Sequence, residues 1–134
     1  VGNGIREDEL APILEEVKEA TQEHQMRLIW YTPTQYCEFD PVGMELGIKG
    51  CTAARYNMCV EPNGDVIPCQ SYYVALGNML SDPWEAIWEH ELARYLRNRD
   101  FMMEKCHDCP DQVLCGGGCP LYNQHHAVEA PSRQ

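Results

Sequence analysis

Four thiols crowd into residues 106–119: Cys106, Cys109, Cys115 and Cys119, spaced C-x2-C-x5-C-x3-C in the segment CHDCPDQVLCGGGC. Thiolates this close together suit a soft metal centre, either tetrahedral zinc or an iron–sulfur cluster. The run Gly116-Gly117-Gly118 supports that chemistry, because backbone amides can approach a sulfur closely where no Cβ intrudes. Four further cysteines, Cys37, Cys51, Cys59 and Cys69, lie upstream. A disulfide framework would call for an oxidising compartment and more dispersed half-cystines. Metal ligation in a reducing, cytoplasmic setting is the stronger reading. A zinc ribbon normally pairs two C-x-x-C knuckles, and only Cys106–Cys109 has that spacing. The tetrad is nevertheless compact enough for one ion, so zinc stays open.

Composition excludes other classes. A net charge of −11 and a pI near 4.7 leave no basic face for nucleic acid. No apolar run reaches the ~18 residues that a membrane span needs. The opening VGNGIREDEL has neither the basic nor the apolar region of a signal peptide, and it lacks an initiator Met. It reads as the start of an excised or processed chain. No Gly-rich nucleotide loop or Ser/His/Asp set is visible.

The elements that must position these thiols are legible in outline. Leu10, Ile13, Leu14, Val17 and Ala20 recur at helical spacing and predict an amphipathic helix over 7–25, with Asp8 as its cap and Pro12 in its first turn. MRLIWY (26–31) predicts a short strand closed by Pro33. Residues 32–55 are rich in Pro and Gly and predict loop. YNMCV and DVIPC around EPNG predict a β-hairpin with Gly64 at positive φ. SDPWEAIWEHELARYLRNR (81–99) predicts one long helix, with Asp82 as N-cap, Pro83 at the first position and Trp84 and Trp88 in the core. Cys59 alternates along the hairpin and reads as a small apolar residue.

Taken together, these features resemble the SPASM domain of radical S-adenosylmethionine (SAM) enzymes. Cys51, twelve residues to Gly64, four to Cys69, a gap and then C-x2-C-x5-C-x3-C match its pattern. PNGDVIPC, LGNMLSDPWEAIW and CGGGCP agree in the intervening text. The resemblance covers residues 37–122 and implies an α+β fold: a small Cys-rich domain with a β-hairpin, one long helix and a C-terminal Cys knuckle. Residues 1–36 look like the closing helix–strand unit of the partial barrel that precedes such domains. The implied organisation is therefore 1–36 as a barrel remnant and 37–134 as the cluster domain, with a flexible tail from about residue 123.

The resemblance also implies the ligands. Cys37, Cys51, Cys69 and Cys119 would hold a first auxiliary 4Fe–4S cluster, and Cys106, Cys109 and Cys115 a second. Cys119 would thereby tie the knuckle back to the hairpin. The family usually supplies one more cysteine downstream, and this chain has none after Cys119. His125, His126 or Asp111 are the candidate fourth ligands of the second site, and Cys59 is a spare for the first. The SAM-cleaving motif C-x3-C-x2-C is absent, so this chain alone should not cleave SAM.

The implied role is electron relay or substrate positioning within a parent oxidoreductase or maturase acting on a peptide or protein. The implied partner is the barrel of the same polypeptide. Leu10, Leu14, Val17, Leu28 and Trp30 should face that barrel, leaving a surface prone to self-association. The alternative is a zinc-binding interaction module without catalysis. Zinc is also expected in aerobic preparations of the cluster protein.

Overall fold

The computed structural model describes residues 4–127. They form two compact units, one drawn from residues up to Gly50 together with Lys105–Cys119, the other from Cys51–Glu104 and from Pro120 onward.

In the first unit a 3-10 turn, Glu7–Glu9, leads into α1, Leu10–Glu23. Pro12 falls in the first turn of α1, where its missing N–H breaks no helical bond. Asp8 does not cap the helix. Its carboxylate pairs with Arg6, and Glu9 accepts from the Arg6 backbone N–H at 3.2 Å. Leu14 is the buried residue of the apolar stripe, Leu10 is half-buried, and Ile13 and Val17 are exposed. Lys18 anchors the helix to the following loop, pairing with Glu45 and donating to the Met44 carbonyl at 3.3 Å.

The expected strand at 26–31 is absent. Residues 26–35 carry no ladder bonds, because a β-prone run becomes a strand only beside a partner and none pairs with it among the described residues. Trp30 instead packs edge-on against the buried ring of Phe39, with centroids 5.6 Å apart. Leu28 and Trp30 are half-buried, while Met26, Ile29 and Tyr31 are exposed.

In the second unit the predicted hairpin is present. β1, Cys59–Val60, pairs antiparallel with β2, Asp65–Ile67, placing Cys59 opposite Ile67 and Val60 opposite Val66. A third strand, β3, Gly77–Asn78, joins the far edge of β2 and gives the order β1-β2-β3. Two residues carry no periodicity, so this strand is invisible to pattern reading. The fold is thus α+β, with a small antiparallel sheet. Its core gathers Ala53, Ala54, Val66, Tyr72, Leu76, Ile87, Ala93, Leu96 and Phe101, with Cys51 and Cys69 packed partly exposed against it.

The long helix expected at 81–99 is two helices, α2, Trp84–Trp88, and α3, Glu91–Asn98. His90 is extended, and its Nδ1 accepts from the Leu92 N–H at 3.1 Å, so the imidazole caps α3 and divides the run. Pro83, not Asp82, is the N-cap of α2; the Asp82 carboxylate accepts from the Asn78 N–H at 2.7 Å. The tryptophans are not core. Trp84 is 47% exposed, and half-buried Trp88 lies under the Arg97 guanidinium at 4.1 Å, leaving Ile87 to fill the interior. α4, Gln112–Cys115, belongs to the first unit and α5, Pro120–Ala127, to the second. α5 replaces the first part of the expected tail: Leu121 packs on the core, and Gln124 donates to the Tyr72 hydroxyl at 3.2 Å. Residues 128–134 of that tail lie outside the described residues. No described helix is long and apolar enough to cross a membrane.

The hairpin depends on Gly64, at φ +92°. A Cβ there would stand 2.7 Å from Asn78 Oδ1 and 2.8 Å from Leu80 Cγ. Gly64→Ala should destabilise the second unit by about 1–3 kcal/mol, read as a lower denaturation midpoint with unchanged slope.

Candidate metal centre

The knuckle is built by a succession of tight turns. The Cys109 N–H donates to the Cys106 carbonyl at 3.3 Å, and the Gln112 N–H to the Cys109 carbonyl at 3.1 Å. α4 then delivers Cys115 at its last position. Its end is sealed by Gly116, whose N–H donates to the Gln112 carbonyl at 2.9 Å. Gly116, Gly117 and Gly118 follow at φ +64°, +82° and +77°, a left-handed run that only glycine adopts without strain. The run folds the chain tightly enough that a Cβ on Gly118 would stand 3.0 Å from the Gln35 backbone nitrogen.

That approach brings the 34–39 turn against the knuckle. The buried Cys115 sulfur accepts from the Tyr36 N–H at 3.4 Å and faces the Thr34 carbonyl at 3.5 Å. Thr34 is itself buried and donates its hydroxyl to the Phe39 carbonyl at 3.1 Å, closing the turn. The Tyr36 hydroxyl accepts from the Lys49 N–H at 2.9 Å and so pins the loop beyond it.

Between turn and knuckle lies a cavity of about 90 Å³, and four cysteines line it: Cys37, Cys106, Cys109 and Cys115. Asp111 also lines it, and Gly117 contributes a wall without a side chain. All eight cysteines are free thiols. The donor set fits a thiolate-held iron–sulfur cluster or zinc, and N–H donors already face two of the sulfurs. Among the described residues, no three potential ligands yet converge as a finished ion site. Holding a metal there would require the sulfurs to move inward, which would couple binding to folding.

Other residues singled out in the sequence fall elsewhere. Cys119 ends the first unit, and Cys51 and Cys69 belong to the second. Cys59 is half-buried on edge strand β1 and is not part of the core. His125 is exposed on α5 in the second unit, and the His126 side chain lies outside the described residues. Of the candidate fourth ligands whose side chains are described, Asp111 lines the cavity. Cys37, read from the family resemblance as a ligand of the other site, lines it too.

Two charged groups near the cavity were not anticipated. Lys105 immediately precedes Cys106, and its Nζ stands 3.4 Å from both Cys37 Sγ and Glu38 Oε1. Burial pulls this ammonium down, but its bonds and attraction to Cys37 and Glu38 outweigh that and hold it above the usual lysine value. Glu7 is only 4% exposed and accepts from the Gln35 N–H at 2.8 Å. Burial pushes its carboxyl up to about 7 against the relief of that bond. Glu38 adds to the rise and Lys105 opposes it. Lys105 had one sequence signal, its place beside a ligand. Glu7 had none.

Comparison with known proteins agrees with this chemistry. Residues 51–110 match the SPASM family, described as an iron–sulfur cluster-binding domain. Residues 51–110 thus carry the signature of a SPASM iron–sulfur cluster-binding domain. It is 34% identical over 76 residues to an AdoMet-dependent heme synthase of Methanosarcina barkeri, covering 56% of this chain and 22% of that protein. It is 29% identical over 96 residues to an AdoMet-dependent heme synthase of Nitratidesulfovibrio vulgaris, covering 69% and 26%. The chain thus spans about a quarter of the length of these curated relatives. No solved structure matches it. The matched SPASM segment includes Cys51, Cys59, Cys69, Cys106 and Cys109 and ends before Cys115, so it covers neither the glycine run nor Cys37.

Gly118→Ala combines a left-handed backbone with a 3.0 Å approach to Gln35. It should cost about 1–3 kcal/mol and lower iron retention after reconstitution, measured as iron per chain. Glu7 gives a pH test. Its folded pKa, about 7, lies above the unfolded value of 4.5, so the fold holds a proton that the unfolded chain releases. The contribution of Glu7 to stability is therefore greatest below pH 4.5 and is lost as pH rises to about 7, by roughly 3 kcal/mol at most. Glu7→Gln, which keeps the shape and removes the charge, should raise the melting temperature over wild type at pH 8 and much less at pH 5.

Proposed function

We propose that this SPASM domain serves a radical SAM protein as its auxiliary-cluster domain, with Cys37, Cys106, Cys109 and Cys115 as the ligands of a 4Fe–4S cluster. The observation that carries this reading is the cavity lined by those four cysteines. It brings a fourth thiolate to the knuckle's three from a turn nearly seventy residues upstream of Cys106. A thiolate is a better partner for iron in such a cluster than the Asp111 carboxylate. Cys51, Cys69 and Cys119 then remain as the implied ligands of a further cluster, with Cys59 as the spare thiol.

The protein's own contribution is positioning. Glycines allow the turn to approach, the Tyr36 amide faces Cys115, and the Lys105 ammonium faces Cys37. An iron–sulfur cluster held there by four thiolates would supply one-electron transfer, with every iron carrying a protein ligand. The chain contains no C-x3-C-x2-C motif, so SAM cleavage belongs to a barrel domain of the same protein. The exposed apolar residues Val17, Met26, Ile29 and Tyr31 offer that barrel a surface. The names of the two relatives favour heme synthesis as the reaction of the whole protein over the peptide modification suggested by family analogy.

Anaerobic reconstitution with iron and sulfide tests the reading. The expected product is brown and carries about four iron and four acid-labile sulfide per cluster, as a cubane requires. Cys37→Ala should lose one cluster's share of both, together with its electron paramagnetic resonance signal when reduced. A colourless, sulfide-free protein holding stoichiometric zinc would overturn it in favour of a structural zinc module.

A further inference from the structure

Cys37 differs from the other three thiols lining the cavity. It is the exposed one, whereas Cys106 and Cys109 are half-buried and Cys115 is buried. It is also not held by the knuckle's own turns, because it comes from the 34–39 loop. A thiolate so placed is the ligand most open to solvent, exchange and loss. Its polar neighbours are Lys105 Nζ at 3.4 Å, with Gln35 Oε1 and Glu38 Oε1 both at 4.0 Å. The carboxylate and amide oxygens offer a thiolate nothing to accept, which leaves the Lys105 ammonium as the donor and the compensating charge.

We propose that Lys105 is a positioning residue of the four-cysteine site, orienting the Cys37 thiolate toward the cavity and raising the reduction potential of the cluster held there. This rests on the ligand assignment above. Lys105 adjoins Cys106 in the 3-10 turn Glu104–Cys106, so one backbone step couples a ligand from the knuckle to the donor that holds the ligand from the loop. Glu38 completes the arrangement. Its carboxylate is 3.4 Å from the same ammonium, fixing the direction in which Nζ points while offsetting part of its charge.

The electronic consequence has a definite sign. Reduction adds one electron to a cluster and its thiolates, and a nearby cation or N–H donor stabilises the more negative state. Lys105 therefore shifts the potential upward. Glu38 draws the ammonium's charge toward itself and shifts it downward. The two side chains act in opposite directions on one ligand, and both remain partly exposed.

The test uses the 134-residue chain, loaded anaerobically with iron and sulfide, in wild-type, Lys105→Met, Lys105→Arg and Glu38→Gln forms. The readouts are midpoint potential, from a redox titration followed by electron paramagnetic resonance, and the rate of iron release to a chelator. Lys105→Met should move one midpoint to more negative potential and speed release severalfold, and Lys105→Arg should hold both close to wild type. Glu38→Gln should move the same midpoint the opposite way, which keeps the idea testable even where Lys105→Met folds poorly. Unchanged midpoints in both Lys105→Met and Glu38→Gln overturn the proposal. Failure of the underlying reading looks different: a wild-type chain that takes up no cluster, or one whose spectrum is indifferent to Cys37→Ala, removes the ligand assignment and the role of Lys105 with it.

Discussion

The close approach of two backbones, the 34–37 turn and the Gly116–Gly118 run, is the constraint on which the site depends. A Cβ on Gly118 would stand 3.0 Å from Gln35, so there is no room for a side chain between them. That contact lets the Tyr36 amide reach the Cys115 sulfur and sets Cys37 across the cavity from Cys106 and Cys109. Three consecutive left-handed residues make the turn, and a side chain at any of them would strain it. Glycine here is a condition of bringing distant thiols together, and chain flexibility is not its purpose.

Around that approach the polar groups are arranged so that charge on sulfur is answered. An amide faces the buried thiol and an ammonium faces the exposed one. The buried Glu7 carboxyl, bonded to the Gln35 amide one residue before Tyr36, braces the same turn from behind. It does so best as a neutral acid, since burial penalises its charged form more than one amide bond can offset. The second unit follows different physics. It is an apolar core around Ile87, Val66 and Leu96, with a minimal sheet and helices divided by the His90 cap.

The hairpin, the first helix and the cysteine groups were legible because each rests on local rules: turn chemistry at Gly64, 3.6-residue periodicity in α1, and the spacing of thiols. The errors have equally local causes. MRLIWY has the composition of a strand, but composition cannot supply the missing partner. WEAIWEHELARYL keeps a helical apolar pattern straight through His90, because a side-chain cap leaves no trace in periodicity. The tryptophans look like core by type, yet Trp88 finds its cover in the Arg97 guanidinium and Trp84 remains largely at the surface.

From the sequence alone came the class of chemistry, since eight cysteines around a glycine run leave few alternatives to a thiolate metal centre, together with the SPASM pattern of Cys51, Gly64, Cys69 and the knuckle. It could not say which thiols share a site, because ligand sets are closed by contacts between residues far apart in the chain. Only the tertiary structure brought Cys37 to Cys106, Cys109 and Cys115, and only it set Lys105 against the most exposed of the four. The physical reason is that a loop of nearly seventy residues closes at an entropic cost that depends weakly on its length. Packing, and not spacing, therefore chose the partner.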